Sequence, residues 1–513
     1  MELPLAVLLL CVSSTWAYKI LFVFPAMSRS NDLLAKGVVR ALLKGGHEVT
    51  WASTYPQKDV HANLTVIELP DALKIVQSMD AMKALKNVSM SYMANFTTSI
   101  AVAASENPQL RKALVEEQFD AVITTWYMND FEAGYAAIQQ VPWILFSSVN
   151  YHAILEDMVD EVRSIPTHPM MFNDCEAPMS TWRRWFNGIL YIGLNLFTWY
   201  DEPRKVGVYE DIFAPLAATR GVPLPPFSEA QHNVSILLVN SHESLAPSIS
   251  KPPNVINIGG FHLDENAPPL PKDLQDLLDG SPQGVIYFSL GSVLRSSGID
   301  AKKRDALVKM FGKLPYTVLW KYEEPLDNLP PNVHVRPWLP QPSILAHKNT
   351  ILFITHGGQS STVEAIIAGI PIIAVPVMGD QPANAERAVR AGYGLQADFN
   401  ADLAEELDVA VKEILSSDKY RNKAKFLSKL FRSRPVPPAK LIPFYVELAI
   451  ETKGAYHLRS LSLKYSWYER WMLDFVLAVL GALAALAWLV KLAVTACVRR
   501  FSGKKQSANK KRN

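Results

Sequence analysis

Short, continuously apolar runs alternate with amphipathic stretches along this chain, and the alternation occurs in two series. Residues 18–25 (YKILFVFP) read as a strand buried on both faces. A polar turn is expected over 26–32. Residues 33–44 then place Leu34, Val38, Leu42 and Leu43 on one helical stripe. Gly45 and Gly46 stop that helix, and HEVTWAS begins a second strand. Residues 70–118 predict helices, FDAVITT and VPWILFSS predict strands, and SILLVNS predicts the last strand of the first series. Residues 246–272 are rich in proline and predict a linker. The second series runs GVIYFSLGS, a helix over 301–313, YTVLWKYE, NVHVRPWLPQ and ILFITHGG, with a further helix over 441–452. Strand–helix alternation predicts a parallel sheet covered by helices, and two series predict two Rossmann-like domains.

One stretch of the second series carries a single chemical task. Residues 354–394 read ITHGGQSSTVEAIIAGIPIIAVPVMGDQPANAERAVRAGYG. The apolar run ILFI ends in a turn, Thr355-His356-Gly357-Gly358, that opens a helix. The first N–H groups of a helix lack intrahelical partners and sit at the positive end of its dipole, so a phosphate fits there. His356 can add a hydrogen bond, and Glu364 can accept from a sugar hydroxyl. Asp380 and Gln381 follow the next buried strand, IPIIAVPV, at the carboxyl end where open α/β sheets bind ligands.

Composition narrows the setting. A net charge of +2 over 513 residues supplies no field for nucleic acid, and the apolar content suits a large core. Residues 1–17 have the pattern of a signal peptide, with small residues before a cleavage point after Ala17. Residues 472–498 hold the other long apolar segment. Lys491 near its end can snorkel, Trp467, Tyr468 and Trp471 precede it, and Arg499, Arg500, Lys504 and Lys505 follow it. The pattern predicts a single-pass type I membrane protein with a lumenal body and a cytosolic tail over 499–513. Lys510 and Lys511, fourth and third from the end, resemble a dilysine signal for return to the endoplasmic reticulum. Four sequons, at Asn63, Asn87, Asn95 and Asn233, all precede the span and suit a lumenal glycoprotein. Cys11 falls in the signal and Cys497 in the span, which leaves Cys175 without a lumenal disulfide partner in the chain.

His356-Gly-Gly, Glu364 eight residues on, and Asp380-Gln381-x-x-Asn384 together closely resemble the signature of the UDP-glycosyltransferase family, whose membrane-anchored animal members include UDP-glucuronosyltransferases. The resemblance implies an α/β fold of the glycosyltransferase-B type. An acceptor domain (18–245) and a UDP-sugar domain (273–440) would face each other across a cleft, and 441–471 would return toward the first domain and lead to the membrane. It implies Trp338 stacked on uracil, Gln341 near the nucleoside, Glu364 on the ribose, and Asp380 and Gln381 on the sugar. Ser292, His356 and the helix opening at Gly358 would hold the diphosphate. UDP-sugar would be a co-substrate, with no cofactor and no metal, which fits the absence of any Asp-x-Asp pair. The aromatic stretch TWRRWFNGILYIGLNLFTWY would lie on the acceptor side and approach the membrane, ordinary helix packing being the alternative. The acceptor would be a small lipophilic molecule such as a steroid, phenolic or foreign compound, as in detoxification, with glucose or glucuronate as the sugar. A homo-oligomer is left open.

The family's catalytic pair is missing. A His in the turn after the first strand usually takes the acceptor proton, oriented by an acid after a later strand, because an imidazole titrates near neutrality. Here Asn31 and Thr125 stand at those positions. Three readings follow. Asp32 or Asp130 serves as base, or the acceptor is an amine that needs none; the protein is catalytically impaired and binds UDP-sugar or a lipophilic ligand without efficient turnover; or another histidine, His47 or His152, takes the role.

Overall fold

The computed structural model describes residues 17–58, 61–79, 90–159, 165–170, 178–245, 249–264 and 267–509. The signal-peptide segment up to residue 16, the sequon at Asn87, Cys175 and the tail lysines Lys510 and Lys511 lie outside the described residues.

The first sheet comprises β1 (Lys19–Phe24), β2 (Glu48–Ser53), β3 (Leu64–Glu68), β4 (Ala121–Thr125), β5 (Trp143–Ser147), β6 (Val234–Val239) and β7 (Val255–Asn257), in the order β3-β2-β1-β4-β5-β6-β7. The second comprises β8 (Val285–Ser289), β9 (Thr317–Lys321), β10 (Val333–Arg336), β11 (Thr350–Thr355), β12 (Ile372–Ala374) and β13 (Gly394–Gln396), in the order β10-β9-β8-β11-β12-β13. Every pairing is parallel. Helices cover both faces, so central strands such as β1, β4, β5 and β8 are buried almost throughout, which explains their continuous apolar runs. In each sheet the strand order reverses beside the first strand, between β1 and β4 and between β8 and β11. A crevice opens at such a switch point beyond the strands' carboxyl ends.

Two local expectations are corrected. Helix α1 (Arg29–Lys44) begins four residues before the predicted start, because the Ser28 hydroxyl caps it by accepting from the Asn31 N–H. Asn31 and Asp32 therefore sit in its first turn and not in a loop. The first sheet also does not end at SILLVNS: residues 255–257 of the expected linker add β7, paired to β6.

Helix α2 (Thr181–Arg220) runs 40 residues. Its second half is core, with Tyr209, Ile212 and Phe213 buried, but its first half exposes Trp182, Trp185, Ile189, Ile192, Leu196 and Trp199. That part of the aromatic stretch is not ordinary helix packing. In the second domain, α3 (Gln359–Ala368), α4 (Gln381–Ala391) and α5 (Lys419–Arg432) cover the sheet. After α5 the chain returns to the first domain as α6 (Pro438–Glu451), whose Ile442, Val446 and Ala449 join the core cluster of Leu34, Val38 and Ile236. Residues 460–509 form a separate unit. It holds α7 (Leu473–Asn509), in which Leu473–Arg499 has a mean hydropathy of 2.4 and buries none of its apolar window, enough to cross a membrane by length and composition.

Candidate active site

The donor side is built on α3. Gly358, with φ −62°, is its N-cap and has no side chain to occupy the first N–H groups. Asp380 Oδ2 accepts from the Gln359 N–H at 3.2 Å and from Asn384 Nδ2 at 2.7 Å, and Asn384 Nδ2 also donates to the Gly357 carbonyl at 2.9 Å. The opening of α3 is thus pinned to the first turn of α4. Burial pushes the Asp380 carboxyl up, partly offset by the Asn384 hydrogen bond. Midway along α3, Glu364 Oε2 accepts from Gln341 Nε2 at 2.8 Å, and Gln341 also reaches Ser361 Oγ at 3.1 Å. His262, from the segment joining the domains, stands 3.5 Å from Glu364 Oε1.

Two glycines crowd the His356 ring. A Cβ on Gly358 would lie 2.5 Å from its Nε2, and one on Gly291 would lie 2.7 Å from its Cε1. Burial, reinforced by the Lys321 ammonium, pushes its imidazole down to about 4. The ring is therefore neutral at physiological pH and able to donate one N–H without carrying charge. Lys321 is held by the Gly291 carbonyl at 2.9 Å and Glu323 at 2.7 Å. Its ammonium lies 5.8 Å from the Trp338 ring, and the Arg29 guanidinium lies 5.9 Å from it. Trp338 is 47% exposed, leaving a face open for stacking.

Two further predicted residues are occupied by the protein itself. Gln381 Oε1 accepts from the N–H groups of Val377 and Met378, so its amide oxygen shapes the loop before α4. Ser292 Oγ meets Ser30 Oγ at 2.7 Å, a contact between the domains. Sequence reasoning missed another such contact. Gln359 and Asn150 exchange amide hydrogen bonds of 2.9 and 3.1 Å, and Gln359 also donates to the Asn240 carbonyl at 2.8 Å. Gln359 lies inside the glycine-turn motif, which was the available signal.

On the acceptor side, Asn31 Oδ1 accepts from Ser28 Oγ at 2.6 Å. Asp32 is buried, accepts from Gln57 Nε2 at 2.9 Å and lies 3.5 Å from Lys36; burial raises its carboxyl above the usual range. Thr125 is buried and donates to the Phe146 carbonyl at 3.4 Å. Asp130 turns its carboxylate onto α2, pairing with Lys205 at 2.6 Å and accepting from Trp126 Nε1 at 3.1 Å. Burial opposes its ionisation, but Lys205 and Trp126 outweigh that and hold it below the usual carboxylate range. A carboxylate so paired is a poor proton acceptor, which argues against Asp130 as the base. His47 is likewise structural: buried at a strand start, it lies 3.1 Å from Glu447 of α6.

The cleft also holds an imidazole–carboxylate pair the sequence did not disclose. His168 Nδ1 lies 2.7 Å from Glu156, both buried. Both line a cavity of about 80 Å³ with His152, Asp380, Asn384 and Arg387. His152 packs against Trp126 with ring centroids 4.7 Å apart.

Two facing Rossmann-like domains, with a helix opening, a neutral imidazole and an exposed tryptophan on the second, define a glycosyltransferase of the B type. Solved structures agree on the fold: a glycosyltransferase of kitacinnamycin (TM-score 0.55, 21% identity, 85% of this chain and 99% of that one) and an indoxyl-glucosylating UDP-glucosyltransferase from Polygonum tinctorium (0.57, 16%, 85% and 99%). The family model described as UDP-glucoronosyl and UDP-glucosyl transferase matches residues 19–508, and the chain belongs to that family. It is 29% identical to UDP-glucosyltransferase 2 of Dactylopius coccus, covering 100% of this chain and 99% of that protein. It is 27% identical to UDP-glucuronosyltransferase 1A8 of Homo sapiens, covering 99% and 97%. It is a UDP-glycosyltransferase, and its reaction is sugar transfer from a UDP-sugar.

Proposed function

We propose that the protein transfers a hexose, glucose or glucuronate, from its UDP conjugate to a small lipophilic acceptor, with inversion and without a metal. It would act as a lumenal enzyme anchored in the endoplasmic reticulum membrane, with the exposed aromatic face of α2 resting on the bilayer. The observation that carries the donor reading is the anchoring of α3 at its opening and at its middle, by Asp380 at Gln359 and by Gln341 at Glu364. Those positions are five residues apart, about 7.5 Å along a helix, which suits a diphosphate at one and a ribose at the other. The acceptor lone pair forms the bond to the anomeric carbon as the bond to the phosphate oxygen breaks. UDP leaves with the electron pair, met by the helix opening and neutral His356.

The acceptor reading rests on Asn31, an amide bonded to Ser28 where the family keeps its base. A nitrogen nucleophile attacks with its own lone pair and loses its proton afterwards to solvent, so lipophilic amines are the acceptors this site suits. A second reading for oxygen acceptors is supported by His168, paired to Glu156 in the cavity it shares with Asp380. The full-length protein in neutral detergent, assayed with UDP-glucose and UDP-glucuronate on amine and phenol panels, separates them. Amine transfer unaffected by His168→Gln supports the first. Phenol transfer lost in His168→Gln, at unchanged thermal stability, supports the second. UDP binding without turnover points to the catalytically impaired protein, and a folded sample that binds no UDP overturns the donor assignment.

A further inference from the structure

Away from the cleft, the two segments that join the domains enclose a second, larger groove of about 890 Å³. Its walls are α1, residues 260–264 of the first crossing and residues 431–440 of the return crossing. Among the described residues, Arg40, Lys44, Arg432, Arg434 and Lys440 line it against one carboxylate, Asp264. Asp264 is already taken, since both its oxygens accept from Arg40, at 2.9 and 2.8 Å. The other four cations have no carboxylate partner among the described residues, in a chain whose whole net charge is +2. Arg432 spends one N–H on the Ile367 carbonyl at 3.1 Å. Arg434 lies against the Phe431 ring at 4.9 Å, and its Nε, Nη1 and Nη2 are closed off from solvent with no protein acceptor. Burial lowers its guanidinium to about 10, with Glu243 opposing the shift, so the charge persists at neutral pH. A guanidinium closed off from solvent with no ion-pair partner among the described residues, lining the groove with other cations, focuses a positive potential into it.

We propose that this groove binds a phosphate-bearing anion, with Arg432, Lys44 and Lys440 contacting the oxyanion and Arg434 supplying further charge. Such an anion would bridge α1 of the first domain to the end of α5 in the second, and so hold the two crossings together. Guanidinium and ammonium groups from separate elements suit a multiply charged phosphate better than a lone carboxylate. The apolar floor of Phe261, Ile367 and Phe431 can accept an attached hydrocarbon, so a free phosphate and a lipid headgroup share the chemistry.

The test uses the full-length protein in neutral detergent, saturated with UDP so that the donor site is filled, and titrated with inorganic pyrophosphate by calorimetry. Saturable binding is expected. Arg434→Gln should weaken it about tenfold, as loss of one favourable charge does. Lys440→Gln, at an exposed position where folding is not at stake, should weaken it about threefold. Lys412→Gln, which removes a lysine paired with Asp408 elsewhere, should leave it unchanged. A parallel arm places the protein in lipid discs with and without phosphatidic acid. Binding competed by, or confined to, the anionic discs assigns the site to a headgroup, and binding they leave undiminished assigns it to a soluble phosphate. Absence of binding in both arms, or binding that Arg434→Gln and Lys440→Gln both leave intact, overturns the site.

Discussion

The crowding around His356 makes Gly358→Ala a sharp perturbation. The backbone at Gly358 has φ −62° and ψ 147°, which alanine adopts freely, so any effect must come from the added methyl group. That methyl would stand 2.5 Å from His356 Nε2, and the ring would have to retreat by about 0.9 Å to reach the 3.4 Å of ordinary contact. Gly291 already crowds the same Cε1 and Nε2 atoms, so the ring must move or the helix opening must shift. Overpacking of this kind costs about 1–3 kcal/mol. Loss of a hydrogen bond to a charged phosphate costs about 1.5–3 kcal/mol. UDP affinity, measured by calorimetry, should therefore fall by about 10- to 150-fold. Alanine is also a poorer N-cap than glycine, and a double-mutant cycle separates that cost. In a His356→Ala background the steric clash disappears while the capping cost persists, so Gly358→Ala should there change affinity by less than about threefold. UDP affinity of Gly358→Ala within twofold of the parent would refute the crowding.

Other expectations bear on separate parts of the molecule. Asp130→Asn breaks a buried pair with Lys205 and should cost about 3–5 kcal/mol by chemical denaturation, with kcat per folded molecule retained; a selective kcat loss of about 10²–10⁴ would instead restore Asp130 as a base. His242 and His356 are both held near 4 by burial, chiefly, so between about pH 6.5 and 4 the unfolded chain binds more protons and stability should fall with acidification; Asp32 and Asp380, whose carboxyls are raised, act in the opposite sense at the acidic end. A flatter denaturation midpoint between pH 7 and 5 in His242→Gln checks this. Arg459 donates to the Gly454 carbonyl, Asn233 Oδ1 and the buried Ser235 Oγ, so Arg459→Ala should lower stability by about 2–3 kcal/mol and leave UDP affinity alone. If α2 rests on the bilayer, brominated lipid should quench the fluorescence contributed by Trp182, Trp185 and Trp199, read as the difference from their Phe variants, and spare Trp338.

The strand, turn and helix of the candidate donor site were legible because their information is local. A buried strand, a glycine turn and a helix opening are neighbours in sequence, and the family signature lies within 354–394. The contacts that close the cleft were not legible, because the sequence carries no local mark of a partner 209 or 262 positions away, as for Asn150–Gln359 and Ser30–Ser292. His168 and Glu156 are a plain histidine and a plain glutamate until the fold seats them in one cavity. The late start assigned to α1 had a different origin. Polar residues 28–32 look like a turn, but Ser28 followed three positions later by Asn31 is also a cap, and the cap prevails. Strand β7 is three residues between a proline pair and a glycine pair, too short for any periodicity to show.

The division between an intact donor side and an altered acceptor side constrains the chemistry. In the proposed mechanism, leaving-group stabilisation uses the helix opening and His356, and the structure sets His356 against Gly358 at that opening. Deprotonation of an alcohol during attack needs a base, and its loss costs about 10²–10⁴ in rate. An amine has no such requirement, because its nucleophilic lone pair is free before the bond forms. The ratio of amine to alcohol transfer is therefore a direct measure of what replaced the missing pair. A ratio raised by about 10²–10⁴ over a relative that keeps its histidine follows if Asn31 stands alone. A ratio near that of the relative follows if His168 and Glu156 supply the base, and His168→Gln should then restore the amine preference. A ratio near that relative's that His168→Gln leaves unmoved would assign the base to neither residue and return Asp32, beneath Gln57, to the centre of the question.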